Sequence, residues 1–265
     1  MDEKRNEQQI SPEERLEEAI QKYLPSAEAG DPVAQYDLGC CYFQGGEFDK
    51  SLHWWEKAAE QGVNQALVRI GLQYGYGLGV EKDEQKALDC VRKAVERNPR
   101  DAVALCNLGL FYEQGIGMEA DMEQAVQCYR QAAEENEPMA LFNLAMCYYA
   151  GNGVAQDADA AMEWAKKSAD LGYPEALHFM GFQYYMGELV PGDINLAIQY
   201  LRAAAEDGSQ EAQKMLNLVE KERQMQNIEG VKNMLDDYEA YMMKALEAEG
   251  LELADVEWDE EEEQE

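Results

Sequence analysis

The sequence predicts an all-α protein built as a stack of helical hairpins. Three observations carry that expectation. Alanine-led segments recur at a spacing near 36 residues from Ala34 to Ala212. Within them, apolar and small residues fall at helical offsets, and a glycine or asparagine closes every second segment at one fixed place. The 265 residues are rich in alanine, glutamate, glutamine and leucine and contain no threonine, a composition of strong helix formers.

The first helix of each unit, helix A, starts from Ala34, Ala66, Ala104, Ala140, Ala176 and Ala212, which lie 32, 38, 36, 36 and 36 residues apart. Four residues on come Leu38, Ile70, Leu108, Leu144, Met180 and Leu216. The next position is small at Gly39, Gly71, Gly109, Ala145 and Gly181, and an aromatic follows at Tyr42, Tyr74, Tyr112, Tyr148 and Tyr184. Offsets of four, five and eight share one helix face.

Helix B leads with Ala19, Ser51, Ala87, Ala125, Ala161 and Ala197, followed three residues later by Trp54, Cys90, Cys128, Trp164 and Tyr200. Eleven residues after each leading residue stand Gly30, Gly62, Asn98, Asn136, Gly172 and Gly208. Glycine and asparagine best tolerate the left-handed conformation that closes a helix, so the same cap is expected six times.

Helix starts are marked too. Asp83, Asp121, Asp157 and Asp193 each sit four residues before a helix B alanine, where a carboxylate accepts from free backbone amides. Asp121 and Gln124 have capping-box spacing, and Asp31-Pro32 starts the first helix A, with Asp101 and Ser209 at equivalent places. The A–B loops carry Gly77 and Gly79, Gly115 and Gly117, Gly151 and Gly153; the first is cut to Gly45-Gly46-Glu47, and the extra residues of the second repeat fall around Asn98-Pro99-Arg100. Both length changes land in turns, which absorb them.

This pattern resembles the Sel-one-like repeat family, a branch of the tetratricopeptide-like proteins. The fourth unit carries its signature as Ala140, Leu144, Tyr148, Gly151, Gly153, Val154, Asp157, Ala161, Trp164, Lys167, Ala169 and Gly172. The likeness runs from residue 19 to 216, with departures at Ala145, Ser168, Glu188 and Pro191. It implies a right-handed α/α superhelical solenoid with helix A on the inner face, in which hairpins too small to bury an apolar face alone are stabilised by stacking.

The expected organisation is a flexible amino terminus over 1–12, a B-like half repeat over 13–30, five repeats over 31–208, a capping half repeat over 209–229, an amphipathic helix over 230–250 and a disordered acidic tail over 251–265. Gly230 offers a kink or stop. Beyond it, Val231, Met234, Leu235, Tyr238, Met242, Ala245 and Leu246 fall on one helical stripe that is expected to dock, on the end of the stack, in the inner groove or on a partner. Trp258 stands alone in the acidic tail, a residue able to anchor a partner or to pack back on its own chain.

With 54 acidic against 22 basic residues the net charge is −32, which argues against binding nucleic acid through phosphates and against docking on anionic lipid. The charged amino terminus does not read as a secretory signal and no run reaches membrane-span length, so a cytoplasmic location is expected. Cys40, Cys41, Cys90, Cys106, Cys128 and Cys147 form no C-x-x-C pair and read as small buried thiols. Only His53 and His178 are present, in separate repeats, and Gly75–Val80, though glycine-rich, lies between two helices instead of after a strand. No enzyme activity, cofactor or metal is expected.

Inner-face positions carried over by the resemblance lie two and five residues either side of the repeat leucine. Those chosen as partner-binding are Tyr36, Phe43, Leu72, Leu110, Phe142, Met146, Tyr149, Phe182 and Tyr185; Val33, Cys40, Gln65, Val68, Gly75, Val103, Cys106, Glu113, Met139, Glu175 and His178 share those registers. The set is more apolar than a solvated groove needs, unless close packing of neighbouring A helices buries it. The expected function is a protein-binding scaffold that holds a partner's amphipathic helix or apolar peptide, with the acidic field favouring a basic partner. The alternatives are an acidic inhibitor or immunity-type regulator masking a basic site and, by family analogy only, a cell-wall or β-lactam hydrolase. The oligomeric state is not readable from the sequence.

Overall fold

The structure is a computed structural model describing residues 11–249, with side chains through residue 230 and at 232–234. Most of the amino-terminal segment, the acidic tail 251–265 and Trp258 lie outside the described residues. Among the described residues there are twelve helices and no strand: α1 (Pro12–Glu28), α2 (Pro32–Gln44), α3 (Phe48–Glu60), α4 (Asn64–Tyr76), α5 (Glu84–Arg97), α6 (Ala102–Gln114), α7 (Met122–Glu134), α8 (Pro138–Ala150), α9 (Ala158–Asp170), α10 (Pro174–Met186), α11 (Ile194–Glu206) and α12 (Gln210–Glu249). The chain forms two compact units, Met1–Met180 and Gly181–Glu265.

In the first unit α2, α4, α6 and α8 are A helices and α1, α3, α5, α7 and α9 are B helices. Each A helix packs on the B helix that follows it and on the one before it. A helices also touch one another, α4 with α6 and α6 with α8. In the second unit α12 packs along α11.

Each hairpin closes over one size-matched contact. The small residue after the repeat leucine faces the helix B residue one place beyond the aromatic register. A Cβ on Gly109 would stand 2.6 Å from the Tyr129 ring, and one on Gly71 would stand 2.7 Å from Val91 Cγ2. On Gly39 it would collide with Trp55, whose indole N–H donates to the Tyr36 carbonyl at 3.2 Å. The second unit repeats the device, with Gly181 2.7 Å from Leu201 by the same measure. Trp55 and Tyr129 are fully enclosed. The fourth hairpin, which has Ala145 in place of the glycine, carries Ala165 at the matching B position, and both are buried.

The loops lock one hairpin onto the one before. Gly117 has φ +69° and Gly153 φ +67°, values that L side chains rarely adopt. A Cβ on Gly117 would strike the carbonyl of Glu84, the first residue of α5, and one on Gly153 would strike that of Met122, the first residue of α7. Glu84 also accepts from the Gly117 amide at 3.3 Å. The second loop glycine is therefore required by a close backbone approach as well as by its own dihedral.

The aspartates cap as expected. Asp31, Asp83, Asp101, Asp121, Asp157 and Asp193 each accept from backbone amides at a helix start, and the Ala212 amide donates to Ser209 Oγ at 3.2 Å. Asp121 takes the Gln124 amide. The full reciprocal box is found at α1, between Ser11 and Glu14.

Two expectations need correction. The left-handed B-helix cap occurs at Gly30, Gly62, Asn136, Gly172 and Gly208 but not at Asn98, whose φ is −138° and ψ 94°. Pro99 follows it, and the proline ring drives the preceding residue into extended backbone. The other correction concerns Gly230. The capping helix and the amphipathic helix are one, because α12 runs its 40 residues through that glycine. Glycine weakens a helix by only about 1 kcal/mol, too little to stop one with good formers on both sides. Leu216 and Val219 of α12 are buried, whereas Met225, Ile228 and Met234 face solvent, Ile228 at 69% exposure. Met234 of the predicted stripe is thus undocked; the side chains of its other members lie outside the described residues.

Candidate functional site

The A-helix registers divide by burial. Tyr36, Phe43 and Leu72 are half-buried against a core formed by Trp55, Ala66, Leu67 and Ile70. The Phe43 ring lies 5.3 Å from Phe48 and 5.4 Å from Trp55, so it serves the first hairpin's core. Leu110 and Met146 are half-buried. Val33, Val103 and Tyr149 stand out at 62%, 39% and 36% exposure. Phe182 and Tyr185 are half-buried within the second unit.

Val68, Gly75 and Cys106, which share the carried-over registers, are buried instead. Neighbouring A helices approach closely enough to enclose them, and Gly75 fits where a Cβ would meet Phe111 and Ile116.

Phe142 and Tyr149 of α8 belong to an aromatic group. Phe142 lies 5.7 Å from Tyr173 and 6.1 Å from Phe179, and Tyr149 meets Phe179 edge-on at 5.7 Å. Such arrangements favour contact of ring edge with ring face. Tyr173 and Phe179 were not among the predicted site residues. Both break the repeat: Tyr173 stands at the helix-start position held elsewhere by Asp31, Val63, Asp101 and Glu137, and Phe179 where Asp37, Arg69, Asn107 and Asn143 stand. An aromatic where the other repeats carry mostly acidic residues (Tyr173) or only polar ones (Phe179) was the available signal.

Beside this group, α6, α7 and α8 enclose a cavity of about 240 Å³ walled by Glu113, Met122, Asn143, Met146 and Tyr149 among others. The buried Tyr129 hydroxyl donates to Glu113 Oε2 at 2.5 Å, and burial together with that carboxylate pushes the phenol's pKa well up. The Asn143 amide donates weakly to Cys106 Sγ at 3.9 Å. Burial pushes the Cys128 and Cys147 thiols to about 11 and raises Cys106 further. Thiols so raised stay protonated and are poor nucleophiles and ligands. His53 is exposed on α3 with Trp54 edge-on beside it, and His178 is half-buried on α10. No group of three or more histidine, cysteine, aspartate or glutamate side chains suited to a metal ion occurs among the described residues. No described helix is long and apolar enough to cross a membrane.

Residues 32–63, 64–99, 102–137, 138–173 and 174–209 each match the Sel1 repeat. The chain belongs to the Sel1 repeat family. Its solved relatives agree with the hairpin stack. A Sel1 repeat protein from Oxalobacter formigenes is 29% identical with a TM-score of 0.59 over 78% of each chain. The structure of c5321, described as a protective antigen in uropathogenic Escherichia coli strains with an SLR fold, is 32% identical with a TM-score of 0.58, over 74% of this chain and 43% of that one. Over 87 residues, 33% of its length, this Sel1 repeat chain is 36% identical to the ERAD-associated E3 ubiquitin-protein ligase component HRD3 of Candida glabrata, and spans 10% of that protein.

Proposed function

We propose that this Sel1 repeat protein is a non-enzymatic scaffold that holds an amphipathic helix or apolar peptide of a partner against the A helices of its first unit. Sel1-like repeat proteins generally mediate protein interactions. The observation that carries the reading here is that Val33, Val103 and Tyr149 are large apolar side chains left in solvent on A helices, with Leu110 and Met146 of the same registers half-buried. Exposed apolar surface of this kind is where partners bind, and thioether side chains adapt to a helix. The raised thiols support binding over nucleophilic chemistry. Six unpaired cysteines support a reducing, cytoplasmic setting.

The test is a photo-crosslinking amino acid placed at Tyr149 and, as control, at the exposed Glu163 of α9. The scaffold reading expects a discrete crosslinked partner from host cells at position 149 and none at 163. The converse pattern rejects it. The net charge of −32 favours a basic partner and also suits a regulator that covers a basic site. Salt separates the two, because charge-led binding weakens steeply with ionic strength and apolar docking does not.

A further inference from the structure

The cavity between α6 and α8 has a defined chemistry. At about 240 Å³ it falls below the roughly 300–1,000 Å³ of pockets for drug-sized ligands. It has room for one long side chain and not for a cofactor or a helix. Its walls combine two thioethers, Met122 and Met146, with the exposed Tyr149 ring. Its polar side chains are the Glu113 carboxylate and the Asn143 and Asn152 amides.

Glu113 is fixed on one side only. Oε2 accepts from the enclosed Tyr129 hydroxyl, which sets the carboxylate's place and leaves Oε1 as an acceptor. No lysine or arginine lines the cavity, so the negative charge has no counter-ion there. The Asn143 NH₂ is directed to Cys106 Sγ, which leaves its carbonyl oxygen to accept. Two acceptors, an aromatic ring and apolar walls for a methylene stem match the planar donors and long stem of a guanidinium side chain.

We propose that this cavity seats an arginine side chain of the bound partner, with the guanidinium on Glu113 and Asn143 and the stem along Met146 and Tyr149. The proposal rests on the A-helix face being the partner surface, and adds that the partner helix carries an arginine as its anchor. The acidic field of the chain works in the same direction, attracting a basic segment before contact.

The probe is N-acetyl-arginine N-methylamide, with the citrulline counterpart as an uncharged isostere. Binding is read from the Met122 and Met146 methyl resonances of the methionine-labelled full chain. The arginine probe is expected to shift both resonances saturably and the citrulline compound to leave them in place. Glu113→Gln keeps an acceptor for the Tyr129 hydroxyl, and is expected to weaken binding at least tenfold without lowering the melting temperature. Asn143→Asp, which adds a second carboxylate, is expected to tighten binding several-fold. Equal response to citrulline, or undiminished binding in Glu113→Gln, overturns the proposal. If the arginine probe fails while position 149 still crosslinks a partner, the anchor alone is wrong. If the probe binds but no partner crosslinks there, the scaffold reading falls and takes the partner's arginine with it.

Discussion

In the α6/α7 hairpin, helix A contributes Gly109 and helix B contributes Tyr129; in α8/α9 the same two places hold Ala145 and Ala165. Both contacts are buried. One is filled by a large ring seated on a bare backbone, the other by two methyl groups. The comparison shows that a bare backbone on helix A goes with a large side chain on helix B and a methyl group with a small one, as expected of interiors packed to crystal density. It also explains why Ala145, a departure from the repeat's glycine, does no harm. The Phe142, Tyr173 and Phe179 rings, by contrast, gather on the neighbouring face of the alanine hairpin.

The largest expected effect is on the filled side of that pair. Tyr129→Ala is expected to cost about 3–5 kcal/mol, since the ring is fully enclosed and Glu113 loses its donor. The measure is the urea midpoint of the first unit's unfolding transition. Ala165→Gly, in the alanine hairpin, is expected to cost only about 1 kcal/mol.

Gly109→Ala comes next. Its Cβ would lie 2.6 Å from the Tyr129 ring and 3.2 Å from the Ala125 carbonyl, and overpacking of this kind costs about 1–3 kcal/mol. Combined with Tyr129→Ala, the total is expected to be smaller than the two single effects together, because the ring that clashes is gone. A neutral Gly109→Ala, or strict additivity, would end the size-matching argument.

Asn136 and Asn98 offer a sharper version of the same comparison. Asn136→Ala is expected to cost about 1 kcal/mol, because φ is +58° there and alanine resists that region. Asn98→Ala is expected to cost under about 0.5 kcal/mol, since Asn98 is extended. Thermal melts of the two variants side by side decide the point.

The smallest effect concerns Glu137, which immediately precedes α8. Burial raises its carboxyl pKa, with Asp101 adding repulsion. A folded pKa above the unfolded one means that the folded state is penalised once the group ionises. The stability is whole below the unfolded pKa and declines as pH rises through the folded one. Glu137→Gln is therefore expected to stabilise the protein at neutral pH by less than about 1 kcal/mol, the group being only half-buried and partly screened by solvent. In acid the two melts are expected to coincide.

Much of this architecture was legible because the repeat samples each position five or six times. The alanine, leucine and glycine registers and the capping aspartates all follow from residue spacing alone. What escaped was whatever depends on a partner residue. The role of Trp55 and Tyr129 was hidden because their register also holds Val91, Ala165 and Leu201, so no residue type recurs. Only the facing glycines show what they have in common. Asn98 was misread because its identity fits a left-handed cap while its neighbour Pro99 forbids one. On the A face, Val33, Val103 and Tyr149 are open where Val68 and Cys106 are enclosed, although all were chosen by the same rule. The approach of α4, α6 and α8 to one another decides which, and helical periodicity within one segment carries no record of it. Phe179 is invisible to a search for recurring residues, because its register holds Asp37, Arg69, Asn107 and Asn143 elsewhere.

The second loop glycine has a consequence beyond local strain. At Gly117 and Gly153 one hairpin rests on the main chain of its predecessor, and main chain is identical whatever residues surround it. At these two steps the spacing is therefore gauged by backbone thickness, like rungs cut to a common jig, whereas at Gly79 the neighbour is the Phe48 side chain. Decoration of α6 and α8 can drift freely while the spacing at which they meet a visiting helix stays constant.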